Sequence, residues 1–198
     1  MLKKKIVAFR GIKSEKRSIE KLGRSELDGK RVLVRVDFNV PLRAKQISDD
    51  TRIKEALPTI KHLLSNGAKV ILVSHLGRPD GAVKPELKMG VVRKRLAELV
   101  RESMNREVSV KKLDDWSGAQ SEIAKMPPSS IVLLENIRFD PRETANDPVL
   151  AKELAYLAEI YVNDAFGTAH RAHASTEGVA YLLPTYAGIL MTRDTDNL

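Results

Sequence analysis

Read for hydrophobic spacing, the chain alternates between short apolar runs and longer apolar stripes. Arg31 to Val36 is a β-branched run that predicts a buried strand, and it ends in the polar group Asp37-Phe38-Asn39. A helix is expected next. Asp49 and Asp50 are its cap candidates, Ile53, Ala56, Leu57, Ile60, Leu63 and Leu64 form its apolar stripe, and Asn66-Gly67 closes it. Pro58 inside that stripe should kink the helix or start a second one. Ala68 to Val73 is the next strand, running into Ser74-His75-Leu76-Gly77-Arg78-Pro79. Between Lys88 and Glu102, Met89, Val92, Leu96 and Leu99 recur at helical spacing. Val108 to Val110 predicts a short strand and Trp116 to Lys125 a short helix. Ser130 to Leu134 is a third strong strand, ending in Glu135-Asn136-Ile137-Arg138. Asp147 and Pro148 form a helix start, as cap and first-turn proline. Ile160 to Val162 is a fourth strand, leading to Asn163-Asp164-Ala165-Phe166-Gly167.

Strands that are apolar on both faces and alternate with helices imply an α/β fold: a mainly parallel sheet covered by helices on both faces, in three layers. With 198 residues there is room for one well-packed domain and not for two large ones. Met126-Pro127-Pro128 reads as a loop within that domain.

Composition narrows the partners. Hydrophobic residues at 42% and charged residues at 30% describe a soluble globular chain. The absence of cysteine rules out disulfides and thiolate metal sites and suits a reducing compartment. No apolar run approaches the ~20 residues that span a bilayer, and the basic start lacks a signal-peptide core. Glu15, Glu20 and Glu26 speak against a transit peptide, so a cytoplasmic location is expected. The net charge of +8 suggests nucleic acid, but its location does not support that. Residues 1–30 hold ten Lys or Arg against four acids, while the remaining residues are nearly balanced. The excess therefore reads as a solvated amino-terminal extension, and few aromatic residues are available for stacking.

In open α/β sheets ligands bind beyond the carboxyl ends of the strands. Strand one delivers Asp37 and Asn39 there, strand two His75 and Arg78, strand three Arg138, and strand four leads to His170 and Arg171. Guanidinium forks bind carboxylate and phosphate in a bidentate way, so this rim has the chemistry of a small anionic ligand. Arg52 lies in the first turn of its helix, where the helix dipole disfavours a cation unless an anion sits nearby; an ion pair to Asp49 or Asp50 is the simpler account. Taken singly, each of these arginines could be a surface charge, and Asp37 and Asn39 could simply hold a turn. His170 and His173 are three apart, but without a suitably spaced acid or cysteine no metal site is expected. Neither a G-x-x-x-x-G-K-S/T loop nor a G-x-G-x-x-G turn is present, which argues against nucleotide sites of those two kinds. Gly77 and Gly81 allow a tight loop only.

Four segments carry a family resemblance. They are Val32-Leu33-Val34-Arg35-Val36-Asp37-Phe38-Asn39-Val40-Pro41, Ser74-His75-Leu76-Gly77-Arg78-Pro79, Leu134-Glu135-Asn136-Ile137-Arg138-Phe139 and the stretch from Val162 to His173. In this order they resemble the motifs of phosphoglycerate kinases, over Leu22 to Met191. The resemblance implies a Rossmann-like, amino-terminal domain that binds 3-phosphoglycerate or 1,3-bisphosphoglycerate for reversible phosphoryl transfer with ADP or ATP in glycolysis. It implies that Asp37, Phe38 and Asn39 meet the hydroxyl and carboxyl end of the acid. His75, Gly77, Arg78, Arg138 and Arg171 would hold its phosphate and carboxylate, with His170 close by. Arg52 matches the catalytic arginine that stabilises the phosphoryl group in flight. Mg-ATP or Mg-ADP belongs, by the same resemblance, to a second domain that these residues do not include. The expected organisation is an extension over 1–21, the domain over 22–191 and a divergent tail over 192–198. The chain is then expected to be a monomer, inactive alone and bound to no nucleic acid or membrane, with a nucleotide-binding domain in trans as a candidate partner. A noncatalytic anion-binding module is the alternative.

Overall fold

A computed structural model describes residues 17–116, 118–165, 167 and 172–196. In chain order the elements are α1 (Arg24–Leu27), β1 (Arg31–Arg35), β2 (Leu42–Arg43), β3 (Gln46–Ile47), α2 (Thr51–Ser65), β4 (Lys69–Val73), α3 (Gly90–Met104), β5 (Val110–Leu113), α4 (Ala119–Ala124), β6 (Ser130–Leu134), α5 (Pro148–Tyr156), β7 (Ile160–Asn163), β8 (Thr185–Ala187) and α6 (Ile189–Asp196). Six strands form one sheet in the order β5-β6-β4-β1-β7-β8, with every pairing parallel. The hairpin β2–β3 stands apart. This is the α/β arrangement expected from the apolar runs, flanked by helices on both faces.

Alternation along each strand divides its side chains between two cores. Val32, Val34, Val70, Leu72, Ile131 and Leu133 pack with Ile53, Ile60, Leu63 and Leu64 of α2 and Val92 and Leu96 of α3. Leu33, Ile71, Val73, Val132, Leu134 and Tyr161 pack on the other face with Ile123 of α4 and Leu150 and Leu154 of α5. Arg35 shares its parity with Leu33, so its side chain enters this second layer, where it is fully buried.

Three expectations need correction. Of the two outcomes expected at Pro58, a second helix does not form: one helix runs from Thr51 to Ser65. Four buried Ile and Leu side chains, at about 1.5–3 kcal/mol each, outweigh the ~3 kcal/mol cost of an interior proline. The strand expected over 108–110 lies at Val110–Leu113 on the sheet's edge. The helix expected over 116–125 is shorter, Ala119–Ala124. Packing also begins before Leu22. Ile19 is fully buried, and the Arg17 carbonyl accepts from Ala187 N at 2.8 Å beside β8.

Candidate functional site

The loops leaving β1, β4 and β6 are tied to one another by buried and half-buried side chains. Asn39 Oδ1 accepts from Gly77 N at 2.8 Å, and Phe38 N donates to Ser74 Oγ at 2.9 Å. Asn136, 1% exposed, accepts from Leu76 N and Arg138 N, both at 3.2 Å, and donates to Leu76 O at 2.8 Å and Leu87 O at 3.0 Å. All of the polar capacity of its amide is used, so the β4 and β6 exits move as one body. Gly77 has φ +64°, and a Cβ there would meet Leu87 Cδ2 at 2.8 Å. Only glycine both adopts that conformation and clears that neighbour.

On this scaffold Arg78 and Arg138 line one cavity of about 230 Å³, together with Asp80, Gly81, Thr144 and His173. Arg138 Nη1 donates to Gly77 O at 3.2 Å, which sets the guanidinium against the β4 exit loop. One strand over, Arg52 Nη1 donates to Asp37 Oδ2 at 2.7 Å, while Asp37 Oδ1 accepts from Asn39 N at 3.1 Å. The simple pairing of Arg52 with Asp49 or Asp50 is not what forms. Asp49 takes the amide and hydroxyl of Thr51, and Asp50 takes Lys54 and Arg95. Arg52 is therefore free of its own helix start and turned towards the exit of β1. Its side chain is 47% exposed. An ion pair so open contributes only about 0–1 kcal/mol, so an arriving anion could draw the guanidinium away at little cost.

Other expected residues lie differently. Phe38 is a core side chain with no exposure, and only its backbone reaches the rim. His75 is 3% exposed and turned inward, its Nδ1 3.1 Å from Arg35 Nη2. His170 and Arg171 lie outside the described residues. Among those described, no three His, Asp or Glu side chains converge as a metal site would require.

Beneath the rim sits a network that the expected site residues did not include. Arg35 Nε donates to Ser175 Oγ at 2.9 Å, and its Nη1 donates to the Val36 carbonyl. Ser175 Oγ donates to Glu143 Oε1 at 2.6 Å, and Ser175 N to Glu143 Oε2 at 2.9 Å. Glu143 and Ser175 have no exposure at all. Burial pushes the pKa of Arg35 down, while the charge of Glu143 opposes that shift most strongly. Burial pushes the Tyr161 hydroxyl up, keeping it a neutral donor to Ser175 O at 2.8 Å. One signal for this network was visible: an arginine inside an apolar, doubly buried strand must find a partner. Nothing in Asp140-Pro141-Arg142-Glu143 marked Glu143 as that partner.

A larger cavity, about 550 Å³, opens beside the first and is lined by Lys88, Trp116, Glu135, Phe139 and Arg142 among others. Its charges are largely matched already. Lys112 pairs with Asp114 and Glu135, and Arg142 with Asp140 and Glu153. Burial pushes the Asp140 carboxyl up, but hydrogen bonds from Arg142 outweigh this and hold it below the usual range. Its lining sets Lys88 and Arg142 against three carboxylates, Asp114, Glu135 and Asp140, so the smaller cavity with its two arginines is the better candidate for an anion.

Comparison with known proteins agrees with the resemblance in the motifs. The family model for phosphoglycerate kinase matches residues 22–198. The chain belongs to the phosphoglycerate kinase family. It is 56% identical over 183 residues to the phosphoglycerate kinase of Dictyoglomus turgidum, covering 91% of this chain and 44% of that protein. With the phosphoglycerate kinase of Moorella thermoacetica it shares 54% identity over 175 residues, or 87% of this chain and 43% of the relative. Among solved structures, the phosphoglycerate kinase of Coxiella burnetii superposes with a TM-score of 0.76 at 38% identity, covering 90% of this chain and 43% of that one. That of Pyrococcus horikoshii gives 0.75 at 30% identity, with 91% and 44% covered. The chain thus spans less than half the length of these family members. Among the described residues no helix is long and apolar enough to cross a membrane.

Proposed function

We propose that this chain is the acid-binding part of a phosphoglycerate kinase, taking 3-phosphoglycerate or 1,3-bisphosphoglycerate at the carboxyl rim of its sheet. The supporting observation is the pairing of Arg78 and Arg138 on one small cavity, one strand away from Arg52 and Asp37. Two guanidinium forks suit a phosphate, and Asp37 and Asn39 suit hydroxyl and carboxyl contacts at the exit of β1. Arg171 and His170 complete the proposed set. On arrival of the acid, Arg52 leaves Asp37 and meets the charge that spreads over the equatorial oxygens of the phosphoryl group in transfer. When bound, Mg-ATP would donate the phosphoryl group to 3-phosphoglycerate, or Mg-ADP would accept it from 1,3-bisphosphoglycerate, with the metal as counter-charge, in the portion of the relatives' length that this chain does not match. The parent reaction is the reversible phosphoryl transfer of glycolysis, in a cytoplasmic setting.

Calorimetric titration of the 198-residue chain with 3-phosphoglycerate tests this reading. Binding is expected, and affinity should fall steadily as salt rises, because the Debye length shrinks from ~10 Å at 0.1 M to ~3 Å at 1 M. No heat of binding at low ionic strength would refute the proposal.

The roles of the arginines should separate. Arg78→Ala or Arg138→Ala removes a charged hydrogen-bond set and should weaken acid binding by about 1.5–3 kcal/mol. Arg52→Ala should leave acid binding nearly unchanged. With a nucleotide-binding domain supplied it should lower kcat about a thousandfold, the low end for a transition-state arginine. Equal losses of binding in all three variants would contradict these roles.

A further inference from the structure

The contact between Arg35 and His75 settles more than a distance. Arginine carries five N–H donors and no acceptor, and it stays protonated in proteins. Its Nη2 lies 3.1 Å from His75 Nδ1. That nitrogen must therefore present a lone pair, which leaves the single ring proton on Nε2. A second proton would set N–H against N–H in a site where His75 is 3% exposed and Arg35 fully buried. The titratable groups around the pair are Arg35 itself from β1, Glu143 from the loop before α5 with His173 Nδ1 3.7 Å from its Oε1, neutral Tyr161 from β7 and Asp37 just beyond β1. The cation is within hydrogen-bond reach of the ring.

Arg35 is not free to turn away. Ser175 Oγ accepts from its Nε and passes a hydrogen bond of 2.6 Å to Glu143, whose other oxygen takes Ser175 N. Val36 O holds Nη1. Two of the three guanidinium nitrogens are thus committed, and Nη2 is aimed at the imidazole.

We propose that Glu143, Ser175 and Arg35 form a buried positioning relay that fixes His75 as the neutral, Nε2-protonated tautomer. On the acid-binding reading, on which this last step rests, a neutral His75 adds no positive charge beneath the rim. The cationic work falls to the arginines. Glu143 and Ser175 are positioning residues, acting on the site through Arg35.

Nitrogen-15 NMR of the histidine rings in the full 198-residue chain reads the tautomer directly, without a ligand. At neutral pH His75 should show an unprotonated Nδ1 and a protonated Nε2. A proton on Nδ1, or on both nitrogens, would overturn the relay whatever the variants do. In Ser175→Ala and Glu143→Gln, each checked for a native amide spectrum, the single tautomer should give way to a mixture. An unchanged His75 spectrum in both folded variants would also overturn the relay. If the wild-type chain shows the expected tautomer but binds no 3-phosphoglycerate, the acid-site reading fails and the relay stands. If it binds the acid while His75 carries a proton on Nδ1, the reverse holds.

Discussion

Glu143→Ala should lower the stability of the folded chain by about 3–5 kcal/mol, the cost of leaving one member of a buried charge network without its counterpart. The carboxylate has no exposure and takes both the hydroxyl and the amide of Ser175. Removing it leaves the Ser175 amide without that acceptor and Arg35 with a net charge in a dry interior. Burial already pushes the Arg35 guanidinium down, and Glu143 is the strongest opposing charge. Against a typical total of about 5–15 kcal/mol for a domain, such a loss would bring the chain close to unfolding. Arg142 provides the internal comparison. It makes more ion pairs, to Asp140 and Glu153, but at the surface, so Glu153→Ala should cost no more than about 1 kcal/mol. Urea unfolding followed by circular dichroism, with m-values held alongside midpoints, measures both. Equal small losses at the two sites would show that burial does not decide the matter.

The same contrast explains what could be read in the sequence. β1, β4, β6 and β7 were legible because a parallel strand covered on both faces must be apolar at every position, and such runs stand out. The rim residues were legible for a topological reason: the polar groups that follow those runs have to emerge at one edge of the sheet. The edge elements carried no such mark. β8 is three residues, Thr185-Tyr186-Ala187, none of them fully buried. The β2–β3 hairpin turns through Ala44 and Lys45, with φ +48° and +64°, so the Asn-Gly or Asp-Gly signal usual for such a turn is missing. β5 carries Lys111 and Lys112 in its middle, which moved the expected strand to the more apolar Val108–Val110. At the site, Arg52's partner was hidden because Asp37 is fifteen residues away in sequence, while Asp49 and Asp50 are neighbours. The pairing depends on where α2 begins relative to the end of β1, and composition does not encode that. Arg35 showed only half of its story. A charge in an apolar strand requires a partner, but which loop supplies it is a matter of tertiary folding.

Residues 1–198 on their own are expected to give no measurable phosphoryl transfer between 3-phosphoglycerate and Mg-ATP. Such transfer is almost wholly positioning and charge stabilisation, because the loose transition state leaves the protein little covalent chemistry to perform. The proposed acid site supplies half of that positioning: Arg78 and Arg138 on one cavity, and Arg52 weakly held by an exposed pair to Asp37. The sequence offers neither a P-loop nor a dinucleotide turn to fix the other reactant. Free Mg-ATP would have to reach the bound acid by diffusion and in line, forfeiting much of the ~7–11 kcal/mol that fixed geometry can supply. Arg52 is also half-exposed, so water would screen it from the charge it is meant to meet. A coupled assay on the purified chain, repeated after adding the nucleotide-binding domain of a relative, separates the possibilities. Turnover of about 1–100 s⁻¹, ordinary for a kinase, from the chain alone would defeat the expectation. Turnover appearing only after the addition would mark the chain as one half of an active pair. Acid binding without turnover in either arm would favour the noncatalytic anion-binding module, since Arg52 would then have no transition state to serve.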